Sequence, residues 1–289
     1  MVRKRNRVFL FMIVLLALVL LAVYLYSFSQ KPPAPLPEGQ ALAEVYTIDV
    51  GQGDSTLIDI GEYEILIDGG ERAAGGIVSE FLEDKVDGKL DLVIATHPDA
   101  DHIGGLIDVL ERYPVGEIID SGKVYNTKTY RTYRAAAEDN GAVFSEDEDR
   151  VIPIANGVTF TVIECADNQK NNNDNSVVTC LMTGNQKLLF TGDMEADIEQ
   201  EYLHKFEDVS YLKVGHHGST SSSCAPFLDC VRPEYAVISC GKGNKYGHPH
   251  KETLDTLQKR DIQIFRTDRQ GTIWTRCYAD RLEFFALGA

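Results

Sequence analysis

The chain has 289 residues, of which 44% are hydrophobic and 25% charged, so it is long enough to bury a complete core. Its 44 acidic residues outnumber its 28 basic residues and give a formal net charge of −16. Because Lys and Arg supply the sequence-independent attraction to phosphates, this balance argues against tight non-specific adsorption to nucleic acid or anionic lipid, but it leaves open a nucleic-acid substrate held by a metal.

The start of the chain predicts a membrane anchor. Residues 8–26 are 19 consecutive residues without a charge. A helix of that length crosses a hydrocarbon core of about 30 Å, so the expected binding partner of this segment is the lipid bilayer. The basic tail at 1–7 should stay in the cytoplasm, which places the rest of this single-pass protein outside the cell membrane. A cleaved signal peptide and a secreted protein are the alternative, although such apolar regions usually span only about 7–15 residues. A proline-rich linker at 27–43 should hold the domain at 44–289 off the membrane.

Downstream of the linker, short β-branched runs alternate with helical stretches. In chain order the first half predicts strands at 45–50, 55–60, 64–68 and 90–96, and helices at 77–85, from Gly104 and over 125–140. The second half predicts strands at 158–163, 176–183, 186–191, 211–214, 235–239, 262–265 and 272–276, with a helix from Met194. The strands cluster, with helices between the clusters. This favours a four-layer αββα sandwich of two mixed β-sheets over a doubly wound fold.

Two segments are predicted to lack regular structure. The asparagine-rich segment 167–175 is typical of a loop. The acidic run 146–149 is predicted to be a solvated turn.

The segment 97–102 is the densest group of polar side chains that could bind a metal. His97, Asp99, Asp101 and His102 lie within six residues, directly after the apolar strand predicted at 90–96. Alternating side chains in the turn can converge, with His97 and Asp99 facing one metal and Asp101 and His102 another. Clustered carboxylates repel one another unless a cation lies between them, so a metal explains this density better than a structural role does.

Three later segments carry the same chemistry after predicted strands. They place Asp193 after one strand, His216 and His217 after the next, and His248 and His250 further along. Six of the seven histidines therefore lie in three short motifs. This distribution predicts that the motifs meet at one site.

These motifs resemble the metallo-β-lactamase superfamily. The narrower resemblance is to the extracytoplasmic domain of ComEC-type DNA-uptake proteins, and it rests on four further segments: 49–55, 66–70, 216–219 and 265–272. It extends over about residues 44–285 and does not include the many-helix channel of those proteins. It implies the metallo-β-lactamase fold and a hydrolase, but DNA import does not carry over.

The resemblance implies a set of metal ligands, with Asp193 as the bridging carboxylate: His97, Asp99, Asp101, His102, Asp193 and His248. His216 or His217 resembles either another ligand or the imidazole that protonates the leaving group, and together with Asp101 these residues form the expected catalytic set. Asp68 resembles a carboxylate that supports the ligand loop. The remaining residues expected to line the cleft are Asp54, Asn175, Ser176, His250 and Asp268.

Two departures from the family pattern bear on the metal. Asp99 stands where most members have histidine, and no histidine occurs between His102 and His204. The site is therefore richer in oxygen than a triple-histidine zinc site, which favours harder ions. We expect two divalent ions, Mn²⁺ or Zn²⁺, with Mg²⁺ as a further option.

The leading functional hypothesis is a phosphodiesterase or nuclease acting on DNA or nucleotides, because paired divalent ions suit phosphodiester hydrolysis. Four basic residues could form a rim beside the site: Lys242, Lys245, Arg266 and Arg269. The first alternative is hydrolysis of a small ester, lactone or β-lactam, and the second is a non-catalytic metal-binding surface module. The sequence indicates no obligate protein partner.

Overall fold

Fifteen strands form two mixed β-sheets in residues 39–165 and 170–288, which are the residues that the computed structural model describes. In chain order they are β1 (Ala43–Thr47), β2 (Thr56–Asp59), β3 (Glu64–Ile67), β4 (Leu90–Ala95), β5 (Val115–Asp120), β6 (Val143–Glu146), β7 (Arg150–Ala155), β8 (Val158–Ile163), β9 (Val178–Thr183), β10 (Gln186–Phe190), β11 (Tyr211–Lys213), β12 (Tyr235–Ile238), β13 (Gln263–Arg266), β14 (Ile273–Cys277) and β15 (Leu282–Ala286). Sheet A has the order β15-β14-β1-β2-β3-β4-β5-β6, and sheet B has the order β13-β12-β11-β10-β9-β8-β7. Each sheet has a parallel half, β3 to β6 in sheet A and β10 to β13 in sheet B.

The helices are short and lie between the strands in the chain. They are α1 (Gly75–Glu83), α2 (Ala100–Ile103), α3 (Leu106–Arg112), α4 (Lys128–Asn140), α5 (Ala196–Glu201), α6 (Ala225–Val231), α7 (Lys251–Gln258) and α8 (Thr267–Gln270), with 3₁₀ turns at Arg72–Ala74, Asn173–Asn175, Leu203–Lys205 and Gly215–Gly218. The α4 helix begins where the Thr127 hydroxyl accepts the Tyr130 N–H, and it ends at Gly141, whose φ is +80°. Both are expected end signals, because a threonine satisfies a free N–H and glycine adopts positive φ without strain.

Three apolar clusters separate the four layers. In β4, Leu92 and Ile94 face the cluster between the two sheets, whereas Val93 and Ala95 face the cluster under α1, α3 and α4. A third cluster lies between sheet B and the helices α5, α6 and α7 and includes Phe227. Successive strand residues point to opposite faces of a sheet, so a strand covered on both sides is apolar throughout. This arrangement is the predicted sandwich of two mixed sheets with flanking helices.

The sequence-based assignment misses four strands and misjudges one turn. The strands β5, β6, β7 and β15 were not predicted, and two of them, β6 and β7, are largely exposed edge strands without a strong apolar pattern. The acidic run 146–149 is not simply solvated. Glu146 ends β6, and Asp147 is buried where the chain crosses from sheet A to sheet B. The crossing between the sheets buries Asp147, although the acidic composition of the segment 146–149 predicts exposure to solvent.

Some of the predictions about membrane attachment lie outside the described residues. The segments 1–7 and 8–26, and most of the linker at 27–43, belong to this part of the chain. Among the residues that are described, no helix has both the length and the apolar character needed to cross a bilayer.

Candidate metal centre

Most of the predicted ligands lie on loops that follow the parallel strands β4, β10, β11 and β12, whose carboxyl ends meet at one edge of each sheet. Backbone hydrogen bonds tie three of these loops together: Asp54 N–H to Asp101 O at 3.1 Å, Gly69 N–H to His102 O at 2.8 Å, and Gly105 N–H to Gly70 O at 2.8 Å. The approach requires glycine, because a Cβ on Gly105 would lie 1.9 Å from the Gly69 carbonyl oxygen. The loop containing 97–102 is therefore held in place by its neighbours.

His102 is oriented by a buried carboxylate. Asp68 Oδ2 lies 2.7 Å from His102 Nδ1 and also accepts the Thr96 hydroxyl at 2.7 Å, while Asp68 Oδ1 accepts the Thr96 N–H at 2.9 Å. With Nδ1 bound to Asp68, the other ring nitrogen of His102 is directed into the site. This carboxylate–histidine arrangement is common beside metals, where it fixes the ring and raises the basicity of the ligand.

His217 is oriented in the same way. Its Nδ1 lies 3.1 Å from Asp54 Oδ1 and 3.1 Å from the Ser239 carbonyl oxygen. The second oxygen of Asp54 accepts a hydrogen bond from the ammonium group of Lys213, whose side chain is only 3% exposed. Asp54 thus has both oxygens engaged, which leaves it as a support for His217 with little capacity for a further partner.

Four imidazoles converge on one oxygen of Asp193. Asp193 Oδ2 lies 3.3 Å from His102 Nε2, 3.6 Å from His217 Nε2, and 3.8 Å from the Nε2 atoms of both His97 and His216. Asp193 comes directly after β10 and Gly192, whose φ is +52°. The geometry thus brings together motifs that are separated by more than a hundred residues.

Several nitrogen and oxygen atoms around Asp193 that could bind a metal lack a hydrogen bond. Among the residues that the structure describes, the buried atoms without a hydrogen bond include His97 Nε2, His102 Nε2, His217 Nε2, His248 Nδ1 and Asp193 Oδ1. Leaving such groups unpaired in a protein interior is costly. Ligand atoms of four buried side chains lie within 4.8 Å of one another: Asp54, His102, Asp193 and His217. The donor set therefore fits a divalent metal ion, which would satisfy these atoms together.

The electrostatics of the cluster agree with a cation-binding site. Burial opposes a charged His217, but Asp193 and Asp54 outweigh it and raise the pKa of His217 to about 10. Burial opposes ionisation of Asp101 too, yet His217 and His102 lower its pKa to about 2. Protonated imidazoles thus neutralise the carboxylates, and a divalent cation would compete with these protons for the same atoms.

His97, Asp99 and Ser176 have further partners in these loops. His97 Nδ1 lies 3.1 Å from the Thr96 hydroxyl, and burial together with the neighbouring His102 lowers its pKa. Asp99 Oδ1 accepts the Asn172 side-chain N–H at 2.6 Å. Ser176 Oγ accepts the Asp193 N–H at 3.0 Å, so its contact is with the backbone of the turn.

The remaining predicted residues lie further from Asp193. Asn175 is buried and its side chain donates to Asn171 O at 2.6 Å. His248 lies beside the cluster, with its ring centroid 5.6 Å from that of His216, and burial together with His217 and His216 lowers its pKa to about 4. His250 Nδ1 accepts the Thr220 N–H at 3.0 Å, so it is committed to holding the loops.

Asp268 binds a basic residue of the predicted rim instead of the centre. It forms a two-point ion pair with Arg266, at 2.9 and 2.7 Å, and both side chains are 12% exposed. Arg266 is therefore neutralised by its neighbour two residues away. Arg266 therefore adds no net positive charge to the basic rim expected from the sequence.

Three residues that sequence reasoning missed contact the cluster. Lys213 supports Asp54, the Thr96 hydroxyl reaches Asp68, and Ser221 Oγ lies 2.9 Å from His216 Nδ1. Lys213 alone had a signal, because a lysine at the end of a buried strand needs a charged partner. The Thr and Ser hydroxyls had none, since such residues are common in any loop.

The fold is that of a known class of protein. The Metallo-beta-lactamase superfamily profile matches residues 48–242, which include the ligand-rich loop and Asp193. The chain belongs to this superfamily.

Within the superfamily the chain is similar to competence proteins. It is 33% identical over 265 residues to ComE operon protein 3 of Bacillus subtilis, covering 84% of this chain and 34% of that protein. It is 33% identical over 247 residues to competence protein ComA of Neisseria gonorrhoeae, covering 82% and 32%, and 32% identical over 248 residues to recombination protein 2 of Haemophilus influenzae, covering 83% and 29%. The chain thus spans about a third of the length of the curated relatives it matches.

Solved structures share the fold at low identity. The metallo-beta-lactamase fold protein YhfI from Bacillus subtilis matches with a TM-score of 0.53 at 12% identity, covering 78% of this chain and 95% of that one. Igni18, a metallo hydrolase from Ignicoccus hospitalis, matches with a TM-score of 0.54 at 13% identity, covering 80% and 98%. These similarities support the fold.

Proposed function

We propose that this protein is a metal-dependent phosphodiesterase or nuclease that acts on DNA or nucleotides. The observation that carries the proposal is the convergence of four imidazole Nε2 atoms on Asp193, with Asp101 beside His217. A centre with several carboxylates suits harder ions and the phosphoryl oxygens that such ions bind. The relatives' names point the same way, because competence and recombination are processes of DNA.

The side chains divide into two proposed metal positions that share Asp193. One would be held by Asp101, His102 and His217 with His248 at its open side, and the other by His97 and Asp99. When bound, divalent ions supply a nucleophile from water at neutral pH and neutralise charge on the phosphodiester. We propose Mn²⁺ or Zn²⁺, with Mg²⁺ as a further option.

His216 is the proposed proton donor, and His217 is better suited to bind metal. Nδ1 of His217 is bound to Asp54 and its Nε2 faces Asp101 and Asp193, in a side chain that is 2% exposed. The His216 side chain is 24% exposed, and Ser221 at 2.9 Å holds its Nδ1. His216 can therefore reach a substrate and give a proton to the departing oxygen.

Activity measurements on the full-length chain in detergent test this function. Single-stranded DNA, bis-p-nitrophenyl phosphate and nitrocefin would be incubated with Mn²⁺, Mg²⁺ or Zn²⁺. We expect phosphodiester cleavage that Asp101→Ala abolishes and that Asp229→Ala retains, because Asp229 is exposed and pairs with Arg260. Cleavage of nitrocefin without any phosphodiester cleavage would overturn the proposal.

We also propose that residues 8–26 anchor the protein in the cell membrane with the domain outside the cytoplasm, as the uncharged run and its basic flank indicate. Alkaline carbonate should leave the full-length protein in the membrane pellet. Protease added to cells stripped of their wall should digest the domain. Release of a shortened, soluble protein would show instead that the segment is a cleaved signal.

A further inference from the structure

An exposed tyrosine lies on the loop that carries His248. Tyr246 is 51% exposed, and the only other aromatic side chain exposed to a similar degree in the described part of the chain is Phe285, at 41%. Phe285 packs against Trp274, with ring centroids 4.8 Å apart. Tyr246 contributes little to the core and presents its ring to solvent.

Hydrogen bonds within the loop 241–248 and from His250 hold the backbone of Tyr246 in place. Asn244 Oδ1 accepts the N–H groups of Tyr246 and His248 at 3.1 and 3.0 Å, and its Nδ2 donates to the carbonyls of Gly241 and His248 at 2.9 and 2.6 Å. His250 Nε2 lies 3.3 Å from the Tyr246 carbonyl. A loop whose backbone is already ordered loses less entropy when a ligand stacks on a ring that it carries.

The ring lies next to the candidate metal centre. Tyr246 and His248 have ring centroids 5.6 Å apart and an interplanar angle of 22°, so the two rings are nearly parallel. His248 is in turn 5.6 Å from His216, whose Nε2 faces Asp193. Tyr246 therefore stacks on His248, which in turn contacts His216 edge to face at the proposed reaction centre.

Positive charge accompanies the ring. Lys245 Nζ lies 4.9 Å from the Tyr246 ring centroid, and Lys242 is exposed on the same loop. Two lysines beside an exposed aromatic ring are notable in a chain whose net charge is −16.

We propose that the loop 241–248 is a nucleotide-binding subsite, in which Tyr246 stacks on an unpaired base and Lys242 and Lys245 contact neighbouring phosphates. Aromatic stacking and lysine contacts to the backbone are how proteins bind single strands without sequence preference. The inference rests on the proposed phosphodiesterase function and specifies its substrate class. The substrate is single-stranded nucleic acid, and a phosphodiester without a base is a poorer one.

Matched oligonucleotides test the subsite. A single-stranded DNA oligonucleotide would be compared with an abasic one of equal length and charge, by anisotropy for affinity and with Mn²⁺ for kcat/KM, using the full-length chain. We expect the wild type to favour the base-bearing strand, and Tyr246→Ala to reduce that preference by about 5- to 150-fold, as loss of one stacked base predicts. Tyr246→Phe should keep the preference, because it keeps the ring.

Phe285→Ala is the matched control, since it removes the other exposed aromatic ring, on β15. It should leave the preference as it is in the wild type. An unchanged preference in Tyr246→Ala, with both strands cleaved, overturns the subsite and leaves the phosphodiesterase intact. Preferential binding that depends on Tyr246, with no cleavage of either strand, supports the subsite and overturns the proposed reaction.

Lys245→Gln separates phosphate contacts from base contacts. It should weaken binding of both strands by the same factor and reduce the salt dependence of binding, because a phosphate contact is blind to the base. A loss confined to the base-bearing strand would contradict this role for Lys245.

Discussion

His102 and His217 are held by the same chemical device. Each imidazole has its Nδ1 bound to a buried carboxylate, Asp68 for His102 and Asp54 for His217, and each directs its Nε2 toward Asp193. Fixing one nitrogen fixes the tautomer and the direction of the other. The candidate ligands are therefore oriented before any ion binds.

Asp68→Asn should weaken metal binding about 10- to 100-fold, the usual effect of losing a carboxylate behind a histidine ligand. An asparagine can still accept the Thr96 N–H, but its neutral amide holds His102 less firmly than a carboxylate does. Calorimetric titration with Mn²⁺ or Zn²⁺ checks the affinity, and Asp229→Asn, at an exposed ion pair with Arg260, is the control. Equal affinities in the wild type and Asp68→Asn would contradict the role of Asp68.

Lys213→Met should lower the free energy of unfolding by about 3–5 kcal/mol, because it breaks a buried ion pair and leaves His217 as the remaining cationic partner of the Asp54 carboxylate. Lys187→Met, which breaks a half-exposed pair with Glu207, should cost no more than about 1 kcal/mol. Urea unfolding measures both. Similar decreases in the free energy of unfolding of the two variants would show that the buried ion pair stabilises the protein no more than the exposed one.

At the scale of elements, short turns place the site residues. His216 and His217 have φ values of +48° and +53°, in the left-handed region that residues other than glycine rarely adopt. The chain turns sharply after β11, which leaves His216 partly exposed and His217 buried while both Nε2 atoms face Asp193. A regular strand would instead send adjacent side chains to opposite faces.

Glu199 on α5 connects this turn to the outer helices. Its carboxylate accepts the N–H groups of Ser223 and Cys224, at 2.6 and 2.8 Å, directly before α6. Burial raises the pKa of Glu199 to about 7, although these N–H groups oppose the shift. The folded state therefore holds a proton on Glu199 at pH values where the unfolded chain has released it.

The sign of the pH effect follows from this raised pKa. Stability from Glu199 is fully present below about pH 4.5 and is lost as the pH rises toward 7, up to about 3 kcal/mol. Urea unfolding at pH 5 and pH 8 should show a larger fall for the wild type than for Glu199→Gln, which cannot titrate. Glu201→Gln, exposed on the same helix, should follow the wild type, and parallel curves for the wild type and Glu199→Gln would contradict the assignment.

At the scale of the whole molecule, the centre joins loops from both sheets. Asp54 and His102 come from sheet A, and Asp193 and His217 follow strands of sheet B. Since the unfolded chain lacks this arrangement, an ion that binds the centre stabilises the packing of one sheet against the other.

Metal should therefore raise the thermal stability of the protein. A free ion concentration of 100 times Kd adds about 2.7 kcal/mol, enough to raise Tm by several degrees in a domain of this size. Calorimetric scans with Mn²⁺ and with EDTA measure the shift, and Asp193→Asn should abolish it. An equal shift in Asp193→Asn would place the stabilising ion elsewhere.

The sequence by itself determined the class of fold and the content of the site. Short β-branched runs predicted most strands, and the density of ligands at 97–102 predicted a metal, because both signals are local. The edge strands β6 and β7 were not predicted from the sequence, since a half-exposed strand has only a weak apolar pattern.

Only the tertiary structure decided the partnerships. Asp54 and His217 are 163 positions apart, and only the packing of the two sheets shows that one orients the other. The structure likewise pairs Asp268 with Arg266 and places Tyr246 beside His248. The physical reason is that the periodicity of a sequence indicates on which face of its strand or helix a side chain lies. Long-range packing determines which distant side chain it contacts.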